Sequence, residues 1–144
     1  MAKDREGKGQ IVVYTSVDCD LFHYGHLKFL EAASKVGDRL IVGVSTDEFY
    51  QEWNKKEPII PYEQRRAIVE AICFVDEVVP LEALEQPLEL MKARGVTVRA
   101  INEPASRGIY KEHPEWKGDL EYAVIPRTPN ISTTMIREKI KKEG

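Results

Sequence analysis

The sequence predicts an α/β fold, a doubly wound parallel sheet of about five strands flanked by helices, from three observations. Short β-branched runs alternate with longer stretches of helical period; the runs are apolar throughout, as strands covered on both faces are; and glycines and prolines mark the changes between them. Ile11 to Thr15 is the first run and the first strand. Leu27, Leu30, Ala33 and Val36, with Phe29 beside them, keep a helical period that stops at Gly37, a residue suited to the left-handed position after a helix. Leu40 to Val44 is a second continuous apolar run. Pro61 stands where a helix can start, Ile68, Ala71 and Ile72 supply an apolar face, and Phe74 to Val79 resumes strand character. A helix opening near Pro87 runs to Arg94, with Gly95 as its stop, and Val96 to Ile101 is the next strand. Residues 102 to 118 mix glycine, proline and charge without a period, which predicts a long loop before a last strand at Leu120 to Ile125.

Length and composition narrow the function. The 144 residues fit one domain, 11–144, behind a polar tail at 1–10, and bury roughly two-thirds of the extended chain's surface. With 31% charged residues and a formal net charge of −3, the chain lacks the broad basic field of a nucleic-acid binder. Two cysteines, Cys19 and Cys73, form neither a disulfide framework nor a zinc-ligand spacing, which favours a reducing cytoplasm. No apolar run approaches the ~20 residues of a spanning helix, so a soluble, unexported protein is expected.

The informative segments lie near the two ends. In Leu21-Phe22-His23-Tyr24-Gly25-His26, two imidazoles three positions apart flank the start of a helix. They can project to one side, and Gly25 lets a ligand approach the backbone closely. Neutral histidine donors beside an open helix N-terminus suit a polyphosphate that gains charge during reaction. Arg127-Thr128-Pro129-Asn130-Ile131-Ser132-Thr133-Thr134 adds a second, hydroxyl-rich helix start, continued by Met135, Ile136 and Ile140. Ser132 reads as its cap, and capping is compatible with phosphate binding at the same helix end. Asp18 and Asp20 precede the histidine turn, where they could touch a magnesium ion, cap a helix or bond backbone amides. Arg137, Lys139, Lys141 and Lys142 cluster late in the last helix and read as a solvated face that favours its dipole.

These segments, with Gly37-Asp38-Arg39-Leu40-Ile41-Val42-Gly43-Val44-Ser45-Thr46-Asp47, Tyr62-Glu63-Gln64-Arg65 and Val75-Asp76-Glu77-Val78-Val79 in order between them, resemble the cytidylyltransferases of the glycerol-3-phosphate cytidylyltransferase type. These belong to the wider nucleotidyltransferases that carry H-x-G-H and a Rossmann-like sheet. The resemblance implies transfer of a nucleotidyl group from CTP to a small phosphorylated alcohol, glycerol 3-phosphate first among them, with release of pyrophosphate. Magnesium would travel mainly on the triphosphate, and the protein would be a homodimer. His23 and His26 would stabilise the pentacoordinate transition state, and Lys55, in a loop before Pro58, would close over phosphates; Lys56 is left open. Nucleotide contacts are implied for Thr15, Asp18, Asp20, Gly25, Arg65, Asn102, Glu103, Arg127, Ile131, Ser132, Thr133 and Thr134, with Asp20 a possible metal ligand. The chain departs from the family pattern at Val17-Asp18-Cys19, where only the following Asp20 is kept, at Trp53, at Cys73 and at Asn102-Glu103-Pro104, around the base and acceptor pockets. Two other readings stand beside this one: an adenylyltransferase using ATP with a flavin or sugar phosphate, and a nucleotide-binding module that has lost activity.

Overall fold

The computed structural model describes residues 10–83, 86–102 and 120–143. Outside them fall nearly all of the polar tail at 1–10, Glu103 and almost all of the loop expected at 102–118. Among the described residues five strands, β1 (Val12–Val17), β2 (Arg39–Ser45), β3 (Glu77–Leu81), β4 (Val96–Asn102) and β5 (Glu121–Ile125), form one sheet in the order β3-β2-β1-β4-β5. Every neighbouring pair is parallel. Among the described residues five helices accompany them: α1 (Tyr24–Lys35), α2 (Asp47–Asn54), α3 (Tyr62–Glu70), α4 (Gln86–Arg94) and α5 (Thr133–Glu143). This is the expected doubly wound α/β arrangement. Strand order reverses between β1 and β4, so the crevice beyond their carboxyl ends is where a ligand fits.

Continuous apolar strands place side chains on both faces of the sheet. On one face Val13, Val42, Val44, Val98 and Ala100 join Phe29, Leu30 and Ala33 of α1 and Val69 of α3. On the other, Val12, Tyr14, Ile41, Val79 and Val96 meet Leu88 and Met91 of α4. The Thr15 hydroxyl, 1% exposed, donates to the Ala100 carbonyl at 2.9 Å and ties β1 to β4 at the reversal.

Several local expectations change in the structure. Gly37 does not occupy the left-handed position; α1 ends through Val36 in right-handed geometry. A Cβ at Gly37 would stand 2.7 Å from both the Ile11 carbonyl oxygen and Val13 Cγ2, so the glycine permits close approach of the turn to β1. Gly95, at φ +69°, does take the expected left-handed stop. In α3 the inward residues are Arg65 and Val69, whereas Ile68 is 38% exposed. The third strand begins at Glu77 rather than Phe74: residues 71–74 form a turn, Val75 donates to the Ile72 carbonyl, and Asp76 accepts the Leu40 amide at 2.7 Å. Pro80 is tolerated inside β3 because this is an edge strand, where a missing N–H costs no ladder bond on the outer side. Helix α2 was not foreseen; Thr46 opens it by accepting the Phe49 amide at 3.3 Å. No described helix is long and apolar enough to cross a membrane.

Candidate active site

A cleft of about 620 Å³ opens at the carboxyl ends of β1 and β4. The helix starts of α1 and α5 meet there. Gly25 in α1 lies so close to the chain before α5 that an added Cβ would stand 3.2 Å from Ile131 Cγ2. From α5, the Thr133 hydroxyl donates to the Asp20 carbonyl at 3.2 Å. Residues 111 positions apart in sequence, Asp20 and Ile131, thus line one cavity, together with His23, Gly25, His26, Arg127, Ser132, Thr133 and Thr134. Thr15, Asp18 and Asn102 line it as well.

The two histidines cap α1 and thereby select their own tautomers. His23 is the N-cap; its Nδ1 accepts the Gly25 amide at 3.0 Å, and its own amide donates to His26 Nδ1 at 3.1 Å. A nitrogen that accepts a hydrogen bond carries no proton, so each neutral ring keeps its proton on Nε2 and is a hydrogen-bond donor there. The rings stack with centroids 3.9 Å apart, and Phe22 also stacks with His26 at 5.4 Å. Burial lowers the His23 pKa; burial first, then the neighbouring His23, lowers that of His26 to about 4 against the opposing pull of Asp20. Both rings are therefore neutral donors at neutral pH, as phosphate stabilisation without proton exchange requires.

Stability should follow from this depression. Above about pH 6.5 both the folded and unfolded His26 are neutral and contribute no slope. As pH falls from there towards about 4, the unfolded chain takes up a proton that the fold refuses, so stability drains away. His26 alone accounts for roughly 3 kcal/mol across that window. Chemical denaturation between pH 7 and 4 should show the loss, and His26→Gln should flatten it; parallel profiles for parent and variant would count against the depressed pKa of His26.

Asp20 is a structural hub. Asp20 is 3% exposed, and its carboxylate accepts the amides of Ile59 at 3.0 Å and Ile60 at 2.9 Å and pairs with Arg137 Nη2 at 2.8 Å. The Tyr50 hydroxyl approaches it at 3.5 Å and Arg137 at 3.4 Å. Cys19 and Leu21 on either side adopt φ of +55° and +50°, left-handed geometry that non-glycine residues hold only when the surroundings impose it. Those bonds occupy the carboxylate, which makes Asp20 a poor metal ligand despite its position. Asp18 is exposed in the cleft, with Ser45 donating to its Oδ1 at 2.5 Å. Among the described residues no group of three or more His, Cys, Asp or Glu is arranged to hold a metal. Cys19 lines the cleft, but burial and the Asp18 charge push its thiol pKa up, so it stays protonated and is no nucleophile.

Three assignments change with the geometry. Arg65 does not line the cleft: fully buried, it donates to the Ile60 and Asp18 carbonyls, each at 2.8 Å, and pairs with Asp47 at 2.8 Å, fastening the loop before α1 from behind. Lys55 opens the loop after α2 as its C-cap residue at φ +59°, and of the two lysines it is Lys56 that lines the cleft. Arg137 is no solvated helix charge, because the Asp20 pair leaves its side chain 20% exposed. Ser132 does cap α5, accepting the Met135 amide at 3.1 Å, and the hydroxyl proton remains available for donation. Ser16, Tyr50, Arg99 and Tyr122 also line the cleft without having been anticipated. For Arg99 the signal was present: one arginine inside the apolar run Val96 to Ile101.

Comparison with known proteins shows the family and the fold. The model of the cytidylyltransferase-like family matches residues 19–139. The chain is 38% identical to glycerol-3-phosphate cytidylyltransferase of Bacillus spizizenii over 126 residues, 83% of this chain and 88% of that protein. It is 36% identical to the Bacillus subtilis protein of the same name, over 84% of this chain and 90% of the relative. In fold it is similar to the lipopolysaccharide core biosynthesis protein from Thermoplasma volcanium, with a TM-score of 0.71 at 20% identity, covering 83% of this chain and 99% of the other. The chain belongs to the cytidylyltransferase-like family.

Proposed function

We propose that the protein transfers CMP from CTP to a small phosphorylated alcohol, glycerol 3-phosphate being the leading acceptor, and releases pyrophosphate. The observation that carries this reading is the meeting of two helix starts at one cleft, one supplying two Nε2–H donors and the other hydroxyls beside Arg127. The names of the Bacillus relatives support the choice of base and acceptor. An oxygen of the acceptor phosphate attacks the α-phosphorus, forming the new P–O bond as the bond to the β-phosphate oxygen breaks, and pyrophosphate leaves in line. His23 and His26 donate to the oxygens on which charge accumulates, while the α5 start and Arg127 hold the β- and γ-phosphates. The chain supplies donors and position, and no covalent enzyme intermediate forms.

Magnesium fits the donor set as a companion of the triphosphate, with Asp18 the exposed carboxylate nearest to hand and the phosphate oxygens as its principal ligands. It would supply neutralisation of the leaving pyrophosphate. A homodimer in the cytoplasm completes the reading. Incubation with magnesium, each of the four triphosphates and a panel of phosphate monoesters should release pyrophosphate with CTP and a single preferred acceptor. Release with ATP alone would transfer the reading to the adenylyltransferases, and no release with any pair would favour a binding module.

A further inference from the structure

Asp20 joins two parts of the chain that are far apart in sequence. Its Oδ2 accepts from Arg137 Nη2 of α5 at 2.8 Å and from the Ile59 amide at 3.0 Å, and its Oδ1 accepts the Ile60 amide at 2.9 Å. The Asp20 carbonyl takes the Thr133 hydroxyl at the start of the same helix. Ile60 is fixed a second time, since its carbonyl accepts Arg65 Nε at 2.8 Å. At the other end of this stretch the Lys55 amide donates to the Gln51 carbonyl of α2 at 2.8 Å. Residues 56–58 therefore bridge two fastened points, and the bridge begins with Lys56, which, like Asn54, lines the cleft. Helix α5, by contrast, buries none of its own residues, so polar bonds such as the two that reach Asp20 fasten it.

We propose that Asp20 is a positioning residue that couples triphosphate binding at the α5 start to the seating of residues 56–60. This rests on the nucleotidyl-transfer reading above and extends it to a segment that belongs to neither helix start. Local opening of α5 breaks the Arg137 and Thr133 bonds. A carboxylate that is 2% exposed does not stay buried without its cation, so the opening draws Asp20 towards water and away from the Ile59 and Ile60 amides. A triphosphate that binds only the docked helix suppresses that opening, and so strengthens the amide bonds on the far side of the same carboxylate. Linkage makes the effect reciprocal: firmer seating of residues 56–60 favours the docked helix and tightens the triphosphate. The segment that presents Lys56 is thus set when the nucleotide is in place.

Amide hydrogen exchange of the parent protein, read by NMR, tests this without any substitution. Saturating CTP with magnesium should slow exchange of the Ile59 and Ile60 amides about 10-fold, alongside protection of amides at the starts of α1 and α5. Arg137→Met should abolish the slowing at Ile59 and Ile60, while CTP added to saturation at its weaker affinity still protects the two helix starts. Tyr50→Phe removes a hydroxyl that lies 3.5 Å from Asp20 Oδ2 and 3.4 Å from Arg137 Nη2, and should reduce the slowing; it serves as the test should Arg137→Met fail to fold. A merely structural role for Asp20 would change the exchange of these amides in the free protein but not their response to CTP. CTP that protects both helix starts yet leaves Ile59 and Ile60 unchanged, or slows them equally in parent and variant, would overturn the coupling. Protection of neither helix start would overturn it together with the reading beneath it, a failure that the absence of pyrophosphate release from any triphosphate and phosphate monoester would show separately.

Discussion

His26→Ala is expected to lower turnover on the order of 100-fold or more, the loss that follows removal of a donor aimed at developing charge. The same substitution removes the Nδ1 acceptor that holds the His23 amide, so part of any effect will be structural, at about 1 kcal/mol for a broken helix cap. Glutamine separates the two contributions. At the third position of a helix its side chain can reach back to the capping residue's amide, so His26→Gln should regain stability without regaining turnover. Thermal unfolding and steady-state kinetics on both variants check this. Turnover by a folded His26→Ala within a few-fold of the parent would remove the histidine from the chemistry.

Asp20→Asn should have the largest effect on stability. It leaves the Arg137 guanidinium facing an amide in a site where the carboxylate was 2% exposed, and breaking a buried pair from one side costs about 3–5 kcal/mol. In a domain of this size that corresponds to a fall in Tm of roughly 10 °C. The consequence for function follows from α5, which has no buried residue of its own. Arg137 and Thr133 fasten it to Asp20, so loosening that hub should also raise the KM for CTP. Arg137→Met should produce the same direction of change in CTP affinity, and the double variant should be less destabilised than the sum of the singles. Strict additivity would show that the pair does not hold the helix.

The order of strands and helices was readable because buried parallel strands leave continuous apolar runs, and because Gly95 and Ser132 sit where backbone geometry calls for them. The two helix starts of the site were readable for the same reason. What could not be read is where charge is buried. Arg65 and Arg99 count as polar in any periodicity, yet each is at most 1% exposed, one fastened to Asp47 and backbone carbonyls and the other lying over Tyr14. Arg137 looked like one of several basic residues on a solvated helix; only the fold brings Asp20 to it. Helix α2 is short, and its Phe49, Tyr50 and Trp53 give too few points to define a period. Lys56 rather than Lys55 lines the cleft, and the left-handed geometry of Lys55 at the end of that helix leaves no trace in the residue pattern. Gly37 shows how a correct boundary can rest on another cause, since close packing against Ile11 and Val13 requires the glycine.

A crystal structure with CTP bound tests the central claim most directly, that the starts of α1 and α5 serve one triphosphate. The account predicts phosphate oxygens within hydrogen-bond distance of His23 Nε2 and His26 Nε2, and the β- and γ-phosphates against the Ser132–Thr134 helix start beside Arg127. A triphosphate that touches one of these helix starts and leaves the other facing solvent would contradict it.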